Sequence, residues 1–270
     1  MELSPLSEAW KAHVKRSDIE ASVRLKYGDP DEVAAFSTIA AEGLAPFEGA
    51  LVLQAFIPGQ RILDIGCGGG REATAMVQHG LRVVAMDLVL AMVQAARSYG
   101  QKKGLVGSYV VGNAVSLPFC DACFDGVAML GAIIAHVPGR DGRVQAFRAV
   151  WRTLRPGGKL AMTTHNRRCH WKFQLYFACV NRFRRLARRL GLGTSLGDND
   201  RWSTRISEAQ SRHPVFFHMY DLDEALADLR EAGFEVVDAR ARAEFEAGCV
   251  DLALRERDYF LGFIAKRPEA

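Results

Sequence analysis

The stretch Leu63-Asp-Ile-Gly-Cys-Gly-Gly-Gly70 ends a short apolar run, Arg61 to Ile65, in a cluster of glycines. An apolar run cut off by glycines predicts a buried strand that turns tightly into a helix, here over Glu72–His79. The same alternation continues outward. Leu81–Met86 is β-rich, Val89–Gln101 helical, and Tyr109–Val111 a brief strand. Gly126–Leu130 is a buried strand, Arg143–Leu154 a helix, Arg155–Gly158 a turn and Lys159–Thr164 a strand. A helix over Leu222–Ala232 and β-rich runs at Glu235–Asp238 and Tyr259–Ala265 close the pattern. Strands and helices alternating at this spacing predict an α/β, doubly wound, mostly parallel sheet with helices on both faces. Before residue 60 the text is helical, with Val23, Ile39, Leu44 and Leu51 spread among charges and a break at Asp29-Pro30.

Composition narrows the classes. The 270 residues are 49% apolar and 24% charged, which excludes disordered and fibrous proteins. A chain this long can bury a core without staples, so its six cysteines do not form a disulfide scaffold. The amino terminus lacks a signal-type apolar run, and no stretch reaches the ~18 apolar residues of a membrane span. The expectation is a soluble cytoplasmic protein with reduced thiols.

Glycines at 66, 68 and 70 allow unusual backbone angles and close approach of a ligand. The dinucleotide pattern G-x-G-x-x-G fails, because its third glycine would fall at Arg71. Asp64 before the turn would also repel a pyrophosphate, and suits a cationic amino group instead. Asp87, at the end of the second strand, is placed to grip ribose hydroxyls. An amino group plus a ribose points to S-adenosylmethionine.

Taken together, these residues resemble the class I S-adenosylmethionine-dependent methyltransferases, over about Gly59 to Lys266. The resemblance rests on the glycine turn, Val84-Ala-Met-Asp87, Gly112-Asn-Ala114 with Leu117-Pro-Phe119, Phe124-Asp125, His136-Val137 and Leu154-Arg-Pro-Gly-Gly158. It implies a seven-stranded sheet with an antiparallel final strand, and release of S-adenosylhomocysteine as product. It further implies methionine contacts from Asp64, Gly66 and Gly68, with Cys67 and Gly70 as further cofactor-binding positions of the turn, and ribose contacts from Asp87. The 113–114 turn, Asn113 and Ala114, would meet the adenine, with Leu88 and Leu130 as apolar neighbours. The family commonly carries aspartate at position 113, where this chain has Asn113. Residues 1–58 are expected to form a helical cap and 59–270 the methyltransferase domain, with a lid insertion over 165–220.

Methyl transfer needs in-line approach and a deprotonated or neutral nucleophile, so a base is helpful and not obligatory. His136 and His165, after the fourth and fifth strands, are the candidate catalytic groups. Tyr27, Asn166, His218 and Tyr220 are candidate substrate contacts, Tyr27 from an amino-terminal lid. Cys120 and Cys123 have C-x-x-C spacing but no second pair, so no metal site is expected.

The segment from His165 to Gly197 holds eight basic residues and no acidic one. Since the chain totals +4, the remainder is net −4. Tyr176, Cys179, Val180, Phe183, Leu186 and Leu190 recur at helical spacing, which predicts a substrate lid packing inward with arginines outside. An RNA-binding face and a membrane-surface helix are the other two readings. The expected function is methylation of N or O of a small molecule in secondary metabolism (natural product biosynthesis). A tRNA wobble-uridine methyltransferase is the alternative, and a non-catalytic cofactor-binding partner the third. The acceptor and the oligomeric state are not fixed by the sequence.

Overall fold

A computed structural model describes residues 16–105, 107–192, 196–203, 213–251, 255 and 258–269. Residues 1–15 of the expected cap, and 193–195 and 204–212 of the expected insertion, lie outside the described residues.

The elements follow the order α1 (Arg16–Tyr27), α2 (Pro30–Ile39), α3 (Pro46–Ala55), β1 (Arg61–Ile65), α4 (Arg71–Gln78), β2 (Arg82–Asp87), α5 (Leu90–Lys102) and β3 (Ser108–Val111). Then come β4 (Phe124–Met129), a 3-10 turn (Ile133–His136), α6 (Arg140–Thr153), β5 (Leu154–His165) and α7 (Trp171–Arg189). The chain closes through β6 (Asp200–Ser203), β7 (Val215–His218), α8 (Leu222–Glu231), β8 (Glu235–Ala241), α9 (Arg242–Ala247) and β9 (Phe260–Lys266). The seven-stranded sheet runs β3-β2-β1-β4-β5-β9-β8, and only β9 is antiparallel to its neighbours.

The central strands β1, β2, β4 and β5 are largely apolar because both faces of the sheet are covered there. Leu63, Ile65, Val84 and Met86 enter one core, while Ile62, Val83 and Ala85 enter the other. The strand order reverses between β1 and β4, so a crevice opens at their carboxyl ends. Helices α1 and α2 lie over that crevice. A buried ion pair joins them, with Lys26 Nζ 2.5 Å from Glu32 Oε1.

Two departures from the sequence expectation are instructive. Strand β5 begins at Leu154, and a register shift between Phe124 and Gly126 absorbs the Pro156-Gly157 kink. Residues 200–203 and 215–218 form a separate antiparallel pair, β6 with β7, which the irregular polarity of that segment conceals.

Candidate functional site

The glycine turn is fixed from two sides. Gly66 and Cys67 donate backbone hydrogen bonds to the Met86 carbonyl at 2.7 and 3.0 Å. Asp87 Oδ2 accepts from the Gly68 amide at 3.0 Å, and its Oδ1 accepts from the Val89 amide at 2.9 Å. Gly66 has φ +80°, and a Cβ there would lie 2.4 Å from the Ile133 side chain. A Cβ on Gly69 would lie 2.5 Å from the Phe36 carbonyl oxygen, so the cap packs directly on the turn.

Beside this turn is a cavity of about 240 Å³. Its walls include Gly66, Cys67, Gly68, Asp87, Leu88, Asn113, Ala114 and Leu130, eight of the ten residues expected from the sequence. Asp64 and Gly70 stand behind the wall. Asp64 is 1% exposed, and Gly70 is pressed against Ala96. Glu20, Phe36, Ile39, Glu72 and Ile133 also line it, though none was expected at the site. Glu72 follows the glycine turn by two residues, a signal that was present. The cap residues carry no motif, since they reach the site only through tertiary packing.

Electrostatically the turn is short of cation. Asp64 Oδ2 has no hydrogen-bond partner among the described residues. Burial, with Glu72 and Asp87 nearby, pushes its carboxyl well above the usual range. Glu72 and Asp87 are raised too, chiefly by burial. Arg71 offsets this in part, reaching Glu48 at 2.8 Å and Glu72 at 2.6 Å. Three desolvated carboxylates around a glycine turn suit a ligand bearing ammonium and sulfonium charge. The residues present therefore fit S-adenosylmethionine.

Asn113 is held differently from a free adenine acceptor. Its Oδ1 accepts from the Val115 amide at 3.1 Å, and its Nδ2 donates to Glu20 Oε2 on α1 at 3.0 Å.

Two expected residues meet at the cavity wall, His136 and Tyr27. His136 Nδ1 lies 3.0 Å from the Phe216 carbonyl, which can only accept, so Nδ1 carries the proton. Nε2 is then the acceptor, and Tyr27 Oη donates to it at 3.1 Å. Burial lowers the His136 pKa to about 4, so the ring is neutral at physiological pH. Burial also raises the Tyr27 phenol, which keeps its proton. The pair is a neutral imidazole at the cavity wall whose lone pair accepts from the Tyr27 hydroxyl.

The other expected residues do not reach this cavity. His165 sits among Phe217, Tyr259 and Phe260, with ring centroids 4.8–5.5 Å away. Asn166 spends its amide on the Arg255 and Asp258 carbonyls and its Oδ1 on the Arg168 amide. It therefore fastens a loop. His218 is buried, 2.8 Å from Asp200 on one side and from Glu224 on the other. Tyr220 is buried and donates to Asp228 Oδ2 at 3.0 Å. Both are core polar residues: β7 turns His218 inward, and Tyr220, two residues beyond it, is buried against α8. Cys123 Sγ is turned to the Cys120 carbonyl at 3.0 Å, and no metal-binding group of three or more ligands occurs among the described residues.

Helix α7 also differs from the expected lid. Its buried face is Phe177, Asn181, Arg184 and Ala187, while Phe183, Leu186 and Leu190 are exposed. Arg184 points inward, donating to the Gly197 and Asp200 carbonyls at 3.0 and 2.8 Å. Asn181 exchanges hydrogen bonds with Asn199 at 2.8 and 3.0 Å. The inner contact is with polar backbone, so polar side chains won the inward face. No single helix among the described residues is long and apolar enough to cross a membrane.

Residues 63–162 match a family model described as a methyltransferase domain. The chain is 37% identical over 108 residues to the O-methyltransferase resE of Aspergillus sclerotiorum, covering 38% of this chain and 39% of that protein. The chain thus spans about two fifths of the length of such curated relatives. An S-adenosylmethionine-dependent methyltransferase structure from Methanosarcina mazei superposes with TM-score 0.63 at 21% identity, over 84% of this chain and all of that one. The 1,6-didemethyltoxoflavin-N1-methyltransferase of Burkholderia thailandensis, with 1,6-didemethyltoxoflavin and S-adenosylhomocysteine bound, superposes with TM-score 0.61 at 18% identity, over 97% and 94%.

Proposed function

We propose that the chain is a class I S-adenosylmethionine-dependent methyltransferase, as the methyltransferase-domain match over residues 63–162 and the shared fold suggest, and that it methylates an oxygen or nitrogen of a small molecule in secondary metabolism. The observation that carries this reading is the neutral His136 at the wall of a small, capped cavity. S-adenosylmethionine, when bound, supplies a methyl group activated as a sulfonium. The chain supplies placement and a proton acceptor. Gly66, Cys67 and Gly68 would receive the methionine end with the carboxylates of Asp64 and Glu72 behind it. Asp87 would take the ribose hydroxyls, and Asn113 with Ala114 the adenine.

An acceptor hydroxyl or N–H entering beside Tyr27 would replace its phenol at His136 Nε2. His136 would then take the acceptor's proton as the methyl passes from sulfur to the nucleophile, leaving S-adenosylhomocysteine, and the Phe216 carbonyl would hold the resulting imidazolium through Nδ1–H. Tyr27 and Phe36, with ring centroids 5.7 Å apart, screen the site from water. Proximity of aligned reactants can lower the barrier by roughly 7–11 kcal/mol.

The tRNA alternative draws less support. Arg185 and Arg188 are paired with Asp198 at 2.6 and 2.7 Å, Arg184 is buried, and Arg167 pairs with Asp221. Few of the eight basic groups are left to meet phosphates. The test is calorimetric binding of S-adenosylmethionine and S-adenosylhomocysteine, followed by mass-spectrometric detection of methyl transfer to phenolic and N-heterocyclic acceptors and to bulk tRNA. Absence of cofactor binding would refute the enzyme reading. Methylation confined to tRNA would refute the small-molecule one.

A further inference from the structure

We propose that the outward face of α7 is a binding site for the surface of an anionic lipid bilayer. The helix has three sectors, and only one is used inside the molecule. Outside, Leu175, Phe183, Leu186 and Leu190 are 57, 61, 54 and 66% exposed, and Cys179 is exposed between them. Their spacing of four, four, three and four residues aligns them on one stripe. At 1.5 Å per residue that stripe is roughly 22 Å long. Trp171, 63% exposed, lies at its amino-terminal end. Single exposed leucines are ordinary, but a continuous row of five apolar side chains marks a contact surface.

The charge beside the stripe selects the occupant. Lys172, Arg182 and Arg189 are exposed along the same face, while Arg185 and Arg188 are held by Asp198. No acidic residue occurs between His165 and Gly197. A second copy docking through this stripe would set arginine against arginine. An RNA would use the arginines and leave the leucines and Phe183 in water. An anionic bilayer satisfies both, taking the apolar stripe about 5–10 Å into the headgroup boundary while Lys172, Arg182 and Arg189 meet lipid phosphates. The long arginine stems allow this, since the charged heads can reach upward from a buried base. Helix α7 begins six residues beyond His165, at the carboxyl edge of β5. That is the edge from which β1, β2 and β4 deliver the cavity walls.

The experiment is co-sedimentation of the full chain with vesicles of phosphatidylcholine alone and of phosphatidylcholine with phosphatidylglycerol. Binding is expected to the anionic vesicles, at least about tenfold tighter than to the neutral ones, and to weaken at high salt. Phe183→Ser with Leu186→Ser should abolish binding with thermal midpoint and S-adenosylhomocysteine affinity unchanged, because both side chains stand in solvent. Arg182→Glu with Arg189→Glu should remove the preference for anionic lipid. Binding to neither vesicle would overturn the proposal. So would a dimer in light scattering that the Ser variant dissolves, or RNA binding that the Ser variant retains.

Discussion

Tyr27 Oη donates to His136 Nε2 at 3.1 Å, so the imidazole lone pair at the cavity wall is held by the amino-terminal cap. This couples α1 to the 3-10 turn after β4, where His136 is anchored by the Phe216 carbonyl. A residue held this way is ready to exchange one hydroxyl partner for another.

If His136 is the base, His136→Ala should lower kcat by about 10²–10⁴. S-adenosylhomocysteine affinity, read by calorimetry, should stay within threefold or so, a loss of less than ~1 kcal/mol. Because its pKa is lowered to about 4, the working neutral form persists through mildly acidic solution. The rate should be flat from pH 8 to 5 wherever the acceptor does not itself ionise, and fall toward pH 4. An unchanged kcat in the alanine variant would assign catalysis to positioning alone.

Asn113 and Glu20 offer a second test. Asn113→Asp would set a carboxylate against Glu20 Oε2, where the Asn113 amide now donates at 3.0 Å. Cofactor affinity should fall by roughly tenfold, about 1.4 kcal/mol, and α1 should become more accessible to protease in the absence of cofactor. Adding Glu20→Gln should restore both, since its amide can donate to the new carboxylate. Tighter binding in the single variant would show that the adenine contact outweighs the repulsion.

The fold was legible because its signals are local. Strand β1 ends in glycines, β2 ends in Asp87, and a short buried strand has few alternative readings. The residues lining the cavity beside β1 were legible for the same reason. What escaped was decided at a distance. Phe36 and Ile39 line the cavity because α2 folds across the glycine turn, and nothing in their spacing says so. On α7 the apolar stripe was expected to face inward by hydrophobicity, but its partner segment, 197–200, offers carbonyls and Asn199. Arg184 and Asn181 satisfy those groups, and leucines could not. Asn166 and Tyr220 stand at a strand edge where sites are built, and were consumed by loop fastening and core hydrogen bonds.

That inversion of α7 can be measured. Arg184→Ala removes two hydrogen bonds to buried carbonyls and should cost about 2–4 kcal/mol in denaturant unfolding. Arg189→Ala, on the solvent face five residues on, should change stability by less than ~0.5 kcal/mol. Equal effects would mean that the helix faces have been misassigned.

His165 gives the last test, because the sequence made it a catalytic candidate and the structure places it in an aromatic cluster. Its Nδ1 has no hydrogen-bond partner among the described residues, and burial lowers its pKa to about 3. A histidine whose folded pKa lies below its unfolded value, about 6.5, is neutral in the native state while the unfolded chain takes up a proton. Its contribution is therefore whole above pH 6.5 and is lost as pH falls from 6.5 toward 3. His165→Phe keeps the ring among Phe217, Tyr259 and Phe260 and removes both the orphaned nitrogen and the titration. The variant should match or exceed the parent in stability at pH 7, and its advantage should widen steadily on going to pH 5. His136, lowered to about 4, titrates in the same direction in both proteins and drops out of the difference. Methyl transfer should be unaffected. A variant that folds with this pH signature but loses turnover would return His165 to the catalytic machinery.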